Sequence, residues 1–255
     1  MITIKSDREI ALMKEAGYIN YLTHKEVAKN IRPGITTKKL NDIAHKFIIS
    51  KGCKPSFLNY EGYPASICVS INDEIVHGIP SNRVIRDGDI VSIDIGVEYK
   101  GYQSDSANTY IVGKVPKDVE NLVVNTQKAL YEGLSQIKSG AKIGDIGAAI
   151  EEYAHKCGLS VVEELVGHGV GTNVHEDPDV PNYGKRNTGI TLKKGMVIAV
   201  EPMLNLGTKE VCMLDDDWTI VTEDEMPSAH FEHTVVVTDD GYKILTGDKE
   251  NGEEK

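Results

Sequence analysis

The chain repeats itself, and that repeat restricts the possible folds more than any other feature. Residues 31–52, IRPGITTKKLNDIAHKFIISKG, are echoed by residues 137–158, IKSGAKIGDIGAAIEEYAHKCG. Gly34 and Gly52 stand 18 positions apart, and so do Gly140 and Gly158. At an offset of 106, Leu40 falls on Ile146, Ile43 on Ala149 and Phe47 on Tyr153. These positions share the spacing of one apolar helix face. The first Gly of each pair reads as the stop of the preceding helix, and the last as a helix C-cap. Further on, VIRDGDIVSIDIG (84–96) resembles TLKKGMVIAVEPM (191–203). Gly88 precedes Asp94 by six residues and Gly195 precedes Glu201 by six, so an acid interrupts the same apolar strand in both halves.

Each half therefore reads helix, helix, strands. Ser6 and Glu9 form a capping box for a first helix that ends near Pro33-Gly34, and a second helix spans about 37–51. Strand-like runs follow at 66–71, 89–98 and 107–112, with a turn at Lys100-Gly101. The second half gives helices near 117–137 and 143–157, then strands near 160–165, 196–204, 219–222 and 231–238. With no linker between them, halves of about 1–115 and 116–245 are expected to form one α+β domain over 1–255, with pseudo-twofold symmetry. Helices should cover one face of antiparallel sheet and leave a cleft on the other. The tail, 247–255, is expected to fray.

Composition narrows the function. Lys and Arg number 28 against 39 Asp and Glu, a net charge of −11, which argues against a sequence-independent grip on nucleic acid. No apolar run approaches the length of a membrane span. The opening MITIKSDREIALMKEAG lacks an apolar core followed by a small-residue cleavage site, so no secretory signal is expected. Cys53, Cys68, Cys157 and Cys212 form no CxxC pair. A cytoplasmic protein is the expectation.

The acids in strands carry the chemistry. Asp94 in VSIDIGV, Glu201 in MVIAVEPM and Glu232 in AHFEHTVVV each cost several kcal/mol to bury unless paired or bound to metal. Asp105 follows Asp94 by 11 residues, about the span of a hairpin that sets two strand positions side by side. GHGVGTNVHED supplies His168 and His175, and EIVHGIP supplies His77 in a Gly/Pro loop. GHGVG lacks the spacing and the lysine of a phosphate loop. Four carboxylates with imidazoles overcharge one divalent ion, whereas two ions about 3.5–4 Å apart match cocatalytic hydrolases. Asp215-Asp216-Asp217 lacks the Gly and Glu of an EF-hand loop and reads as a solvated turn. His233 reads as a partner that steadies the ligands.

In GYPASICVSINDEIVHGIP, IDIGVEYKGYQSDSA, GHGVGTNVHEDP, MVIAVEPM and AHFEHTVVVTDDG, taken in that order, the chain resembles the type I methionine aminopeptidases of the short bacterial form. The resemblance covers nearly the whole chain. It implies the pita-bread fold of two related αβ halves around a dinuclear metal cleft. It also implies that Asp94, Asp105, His168, Glu201 and Glu232 hold two divalent ions (Co, Mn, Fe or Zn), with Asp105 and Glu232 as bridges. A water or hydroxide between the ions would be the nucleophile, and Glu201 would shuttle its proton. His175 would bond the scissile carbonyl or oxyanion, and His77 the substrate amide. Tyr60, Tyr63, Cys68 and Trp218 would wall the methionine pocket. The implied substrates are methionyl peptides and nascent chains with a small second residue. The implied partner is the ribosome, and the implied state a monomer without membrane or specific nucleic-acid contacts. Two positions depart from the family pattern. Val174 stands where relatives often carry a larger side chain, so a wider pocket is expected. Phe57 stands where some have cysteine, which compensates.

Other families of the same fold differ from this chain. Aminopeptidase P, prolidase and creatinase place a long domain ahead of the catalytic part, whereas here the first motif begins near residue 60. Type II methionine aminopeptidases insert a helical segment between the last two ligands, and Glu201 and Glu232 are only 31 positions apart. A purely binding relative would lose metal ligands, and all five stand here.

Overall fold

In the computed structural model, which describes residues 2–248, each half opens with two helices: α1 (Asp7–Ala28) and α2 (Thr37–Ser50), then α3 (Lys117–Leu134) and α4 (Ile143–Lys156). The Ser6 hydroxyl accepts from the Glu9 N–H at 3.4 Å and the Glu9 carboxylate accepts from the Ser6 N–H at 2.8 Å, closing the capping box. α1 stops at Ala28, short of the expected Pro33-Gly34. The Asn30 amide donates to the Glu26 carbonyl at 2.9 Å and satisfies an acceptor of the last turn.

The repeat is visible in matched hydrogen bonds. Gly34 donates to the Ile85 carbonyl and Gly140 to that of Leu192, both at 2.9 Å. Ile85 donates back to Ile35 and Leu192 to Ala141, both at 2.8 Å. Gly52 (φ +71) and Gly158 (φ +72) follow α2 and α4 in the left-handed conformation that glycine adopts without steric cost.

The strands of the first half are β1 (Lys54–Pro55), β2 (Ile67–Ile71), β3 (Glu74–Val76), β4 (Ile90–Tyr99) and β5 (Tyr102–Ile111). The second half adds β6 (Ser160–Val161), β7 (Gly167–Gly169), β8 (Glu176–Val180), β9 (Val197–Val200), β10 (Met203–Asn205), β11 (Val211–Met213), β12 (Ile220–Thr222), β13 (Ser228–His230), β14 (His233–Val237) and β15 (Tyr242–Ile244). β4 lies between β2 and β5 in one antiparallel sheet, and another runs β15-β14-β9-β7-β8. β3 pairs with β12 and ties the halves together. Along β4, Val91, Ile93, Ile95 and Val97 pack on Val27, Leu40, Ala44 and Ile48 of the helices, while Ser92, Asp94 and Gly96 alternate on to the other face. In the second half Leu122, Leu130, Ile146 and Ile150 cover Ile198, Val200 and Val235. The α+β arrangement, helices outside and a cleft within, is the expected one.

Four strand expectations need correction. β5 starts at Tyr102 rather than 107 because the hydroxyls of Ser104 and Ser106 are buried and bonded. The Asn20 amide on α1 donates to the Ile95 carbonyl, and the Ser106 hydroxyl donates to Asn20 Oδ1 at 2.6 Å. The expected strand at 196–204 is interrupted at Glu201-Pro202, and that at 231–238 begins only at His233, after a break at Phe231-Glu232 that separates it from β13. Pro202 has no N–H for a ladder, and the Asn182 amide takes the Glu201 carbonyl at 3.1 Å. The expected strand at 160–165 shrinks to Ser160–Val161. From 249 on, the tail lies outside the described residues.

α1 meets β5 through His24, whose Nε2 lies 3.0 Å from the Ser106 carbonyl. Burial holds His24 at a pKa of about 4, so the folded chain refuses a proton that the unfolded chain takes up near 6.5. This cost is absent above about pH 6.5, grows as pH falls toward 4, and reaches about 3 kcal/mol. His24→Asn should therefore be less stable than the parent at neutral pH, and the gap should narrow in urea melts as pH falls from about 6.5 to 4. A gap independent of pH would show that His24 is not held neutral.

Candidate metal centre and adjoining pocket

The cleft face of the β4–β5 hairpin carries two acids. Lys100 (φ +52) and Gly101 (φ +84) make the turn, and the register sets Asp94 opposite Ala107 and Gly96 opposite Asp105. Asp94 and Asp105 are thus diagonal neighbours on one face. Cys68 on β2 lies opposite Asp94 on its other side.

The second half meets this edge through residues 230–234, which run beside β5. Glu232 N–H donates to the Ala107 carbonyl at 2.9 Å. Two threonines flank that bond. Thr109 Oγ1 accepts from the His230 N–H at 2.9 Å and donates to the His230 carbonyl at 2.8 Å. Thr234 Oγ1 accepts from the Asp105 N–H at 3.0 Å and donates to the Asp105 carbonyl at 2.7 Å.

The histidines close round these acids. β7 and β8 pair with Gly169 opposite Glu176, so the chain reverses between His168 and His175 and their rings meet at 4.2 Å. GHGVG is thus partly strand, and β8 was not foreseen. His168 Nε2 lies 3.4 Å from Glu201 Oε1 and 3.9 Å from Asp105 Oδ2. On the far side of Glu201, His230 Nε2 lies 3.5 Å from Oε2. Ligand atoms of Asp105, His168 and Glu232 lie within 4.8 Å of one another, and so do those of Glu201, His230 and Glu232. Asp94 lines the same cavity outside both groups.

His230 is the residue that reading the sequence missed. The available signal was AHFEH, in which His230 and Glu232 are two apart and so share a face when extended. His233 points elsewhere, its Nδ1 3.0 Å from Thr246 Oγ1 and its ring edge-on to Tyr131. It does not steady the ligands directly, because one residue along a strand turns the side chain to the opposite face.

The electrostatics favour a cation. Asp94 Oδ1, Asp105 Oδ1 and Glu232 Oε1 are buried with no hydrogen-bond partner. Burial and the neighbouring carboxylates push the carboxyls of Asp105 and Glu232 well up. Burial likewise raises Asp94. Glu201 behaves differently: burial would raise it, but His230, His168 and His175 outweigh that and hold it below its usual range. Oxygen donors crowded with imidazole suit divalent ions from Mn to Zn.

A cavity of about 140 Å³ adjoins the acids and is lined by Phe57, Tyr60, Tyr63, Cys68, His77 and Trp218, among others. Phe57, Tyr63, Ala65, Cys68 and Val174 form one buried cluster. The two departures noted above therefore meet in one place: Phe57 lines the cavity, while Val174 packs in the cluster. A Cβ on Gly96 would come within 2.7 Å of the Phe57 ring, so the Gly opposite Asp105 makes room for it. Trp218 stands edge-on to Tyr63 at 5.1 Å and to His77 at 6.3 Å. Asp216 holds the Trp218 turn by accepting from the N–H groups of Trp218 (3.0 Å) and Thr219 (2.7 Å). His77 sits at φ +59, a conformation costing about 1–3 kcal/mol that clusters at functional sites. His175 stands at the rim, Tyr60 Oη 3.0 Å from its Nδ1, with burial and His168 pushing its pKa down to about 4. A wider cleft of about 420 Å³ opens past His77, His168, His175 and Glu201, with Asp177 and Asp179 along it. The cleft thus brings all the predicted site residues together.

Residues 11–239 match the metallopeptidase family M24. Methionine aminopeptidase 1 of Bacillus subtilis is 51% identical over 246 residues, 96% of this chain and 99% of that protein. The structure of methionine aminopeptidase from Thermotoga maritima superposes with a TM-score of 0.96 at 42% identity, covering 97% of this chain and all of that one. The Rickettsia prowazekii methionine aminopeptidase gives 0.95 at 42% identity over the same shares. The prolidase from Pyrococcus horikoshii, 24% identical with a TM-score of 0.77, shares the fold and extends beyond it, since the match covers 64% of its chain.

A cation entering this cleft displaces protons from Asp105 and Glu232, so it binds more tightly as pH rises. The rise in Tm on adding Mn²⁺ to stripped protein should be larger near pH 8 than near pH 6, a hundredfold excess over Kd adding about 2.7 kcal/mol of stability. An equal rise at both would mean that these carboxyls are not the ligands.

Proposed function

The chain belongs to the metallopeptidase family M24, and from that premise we propose that it is a metal-dependent exopeptidase that removes the N-terminal methionine of peptides and new proteins whose second residue is small. The observation that carries this reading is the aromatic-walled pocket set against buried carboxylates and imidazoles. The likeness to methionine aminopeptidases over nearly the whole chain supports it.

In this reading Asp94, Asp105, His168, Glu201 and Glu232 hold two divalent ions, Co, Mn, Fe or Zn, whose charge balances four carboxylates. Such ions supply a Lewis acid and bring the pKa of water near 7. The remaining work falls to side chains. Tyr63, Cys68 and Trp218 take the methionine side chain in an apolar, polarizable pocket, and the wider cleft takes the rest of the substrate. Glu201, the carboxylate held low, accepts a proton from the attacking water and returns it to the leaving amine. His175 is neutral, and with the Tyr60 hydroxyl donating to Nδ1 its proton resides on Nε2, which donates to the scissile carbonyl as it becomes an oxyanion. His77 contacts the substrate amide from its strained backbone position. The same reading puts a monomer in the cytoplasm, acting on chains that leave the ribosome. Its support is the substrate class; among the described residues no helix is long and apolar enough to cross a membrane.

Metal-stripped protein should release methionine from Met-Ala-Ser only after Mn²⁺ or Co²⁺ is added, and should leave Leu-Ala-Ser and Ala-Pro-Ala intact. Cleavage of Ala-Pro-Ala instead would make it a proline-specific relative, and no cleavage with any metal would leave a binding protein. His175→Ala should lower kcat by about 10²–10³ while metal content is kept. Turnover at the parent rate would remove His175 from the chemistry.

A further inference from the structure

We propose that His230 is a further metal ligand, giving Nε2 to an ion held with Glu201 and Glu232. The proposal rests on the reading of this cleft as a metal centre, and three observations carry it. First, His230 is 1% exposed and its Nε2 is buried with no hydrogen-bond partner, yet ligand atoms of His230, Glu201 and Glu232 lie within 4.8 Å of one another. Second, a carboxylate stands beside it, with Glu201 Oε2 at 3.5 Å. An anion would be repelled from this place, and a cation would satisfy the acids and the imidazole together.

Third, a local twofold relation across the two strands equates residues 125 positions apart. It takes Thr109 to Thr234 and Asp105 to His230. Each threonine hydroxyl binds both the N–H and the C=O of the other strand's residue, Thr109 that of His230 and Thr234 that of Asp105. His230 therefore holds, in the second half, the clamped position that Asp105 holds in the first. Its backbone is satisfied in the same way, and its side chain is left to face the same cleft. Each ligand group then carries one imidazole, His168 in one and His230 in the other, with Glu232 common to both. A nitrogen donor there should favour Co²⁺ over Mn²⁺ at that ion.

The test compares stripped parent protein with His230→Ala and His230→Gln during Co²⁺ titration. Bound ions are counted by equilibrium dialysis with elemental analysis, and the visible absorption of bound Co²⁺ is recorded. The parent should take two ions. Both variants should bind one of them at least about tenfold more weakly, with a changed Co²⁺ spectrum. The glutamine amide can still donate to Glu201, so a glutamine variant with parental affinity for both ions and the parental spectrum would overturn the proposal and leave His230 as a hydrogen-bond donor to Glu201. If the alanine variant does not fold, the glutamine variant decides alone, its metal-free melt being the check on folding. A parent that binds no Co²⁺ would overturn the metal centre itself, an outcome distinct from two ions bound equally by parent and glutamine variant.

Discussion

Four carboxylates share one cleft, and two of them, on Asp105 and Glu232, are more than nine-tenths buried. Like charges at such range repel strongly in a medium less polar than water. A chain that retains this arrangement must protonate some of the acids or bind cations, and the direction of the shifts at Asp94, Asp105 and Glu232 shows the first response. The rest of the structure supports that crowding. The helices cover the outer faces with apolar contacts, so the stability needed to hold the acids together comes from cores that lie away from them.

What aligns the acids is backbone satisfaction across the seam between the halves. Residues 230–234 are interrupted strand, and interrupted strand leaves N–H and C=O groups that must be paired when buried. The hydroxyls of Thr109 and Thr234 and the Glu232–Ala107 bond pair them. Positions on different halves are thereby locked without a continuous ladder. The interruption itself frees the side chains of Glu201 and Glu232 to enter the cleft.

Much of this was legible in the sequence because it is periodic. The glycine pairs and apolar spacing revealed the duplication, and acids inside apolar runs revealed Asp94, Glu201 and Glu232. Their meeting required only that the two halves close on each other. The beginning of β5 was illegible because Gln103, Ser104, Asp105 and Ser106 look like loop. They are strand because Asn20, Thr234 and Gln103's own partner Ser56 satisfy them, and such partners are distant in sequence. His230 was illegible for a related reason: next to a conspicuous Glu232-His233 pair, the choice of which histidine faces the acids depends on where the strand breaks. His168 and His175, seven apart, meet only because the chain reverses between β7 and β8, which their spacing does not reveal.

The division of labour among the acids follows from which neighbours each one has. Asp105 and Glu232 sit among carboxylates, so a cation is their best partner and the role proposed for them is that of fixed ligands. Glu201 sits between two imidazoles, His168 on one oxygen and His230 on the other. Its carboxyl is held below its usual range where those of the others are pushed up, and it faces both the small pocket and the wider cleft. A carboxylate in that position can take a proton while the neighbouring imidazoles keep its orientation. The same surroundings that make Glu201 the easiest acid to bury suit it to the proton transfer proposed for it.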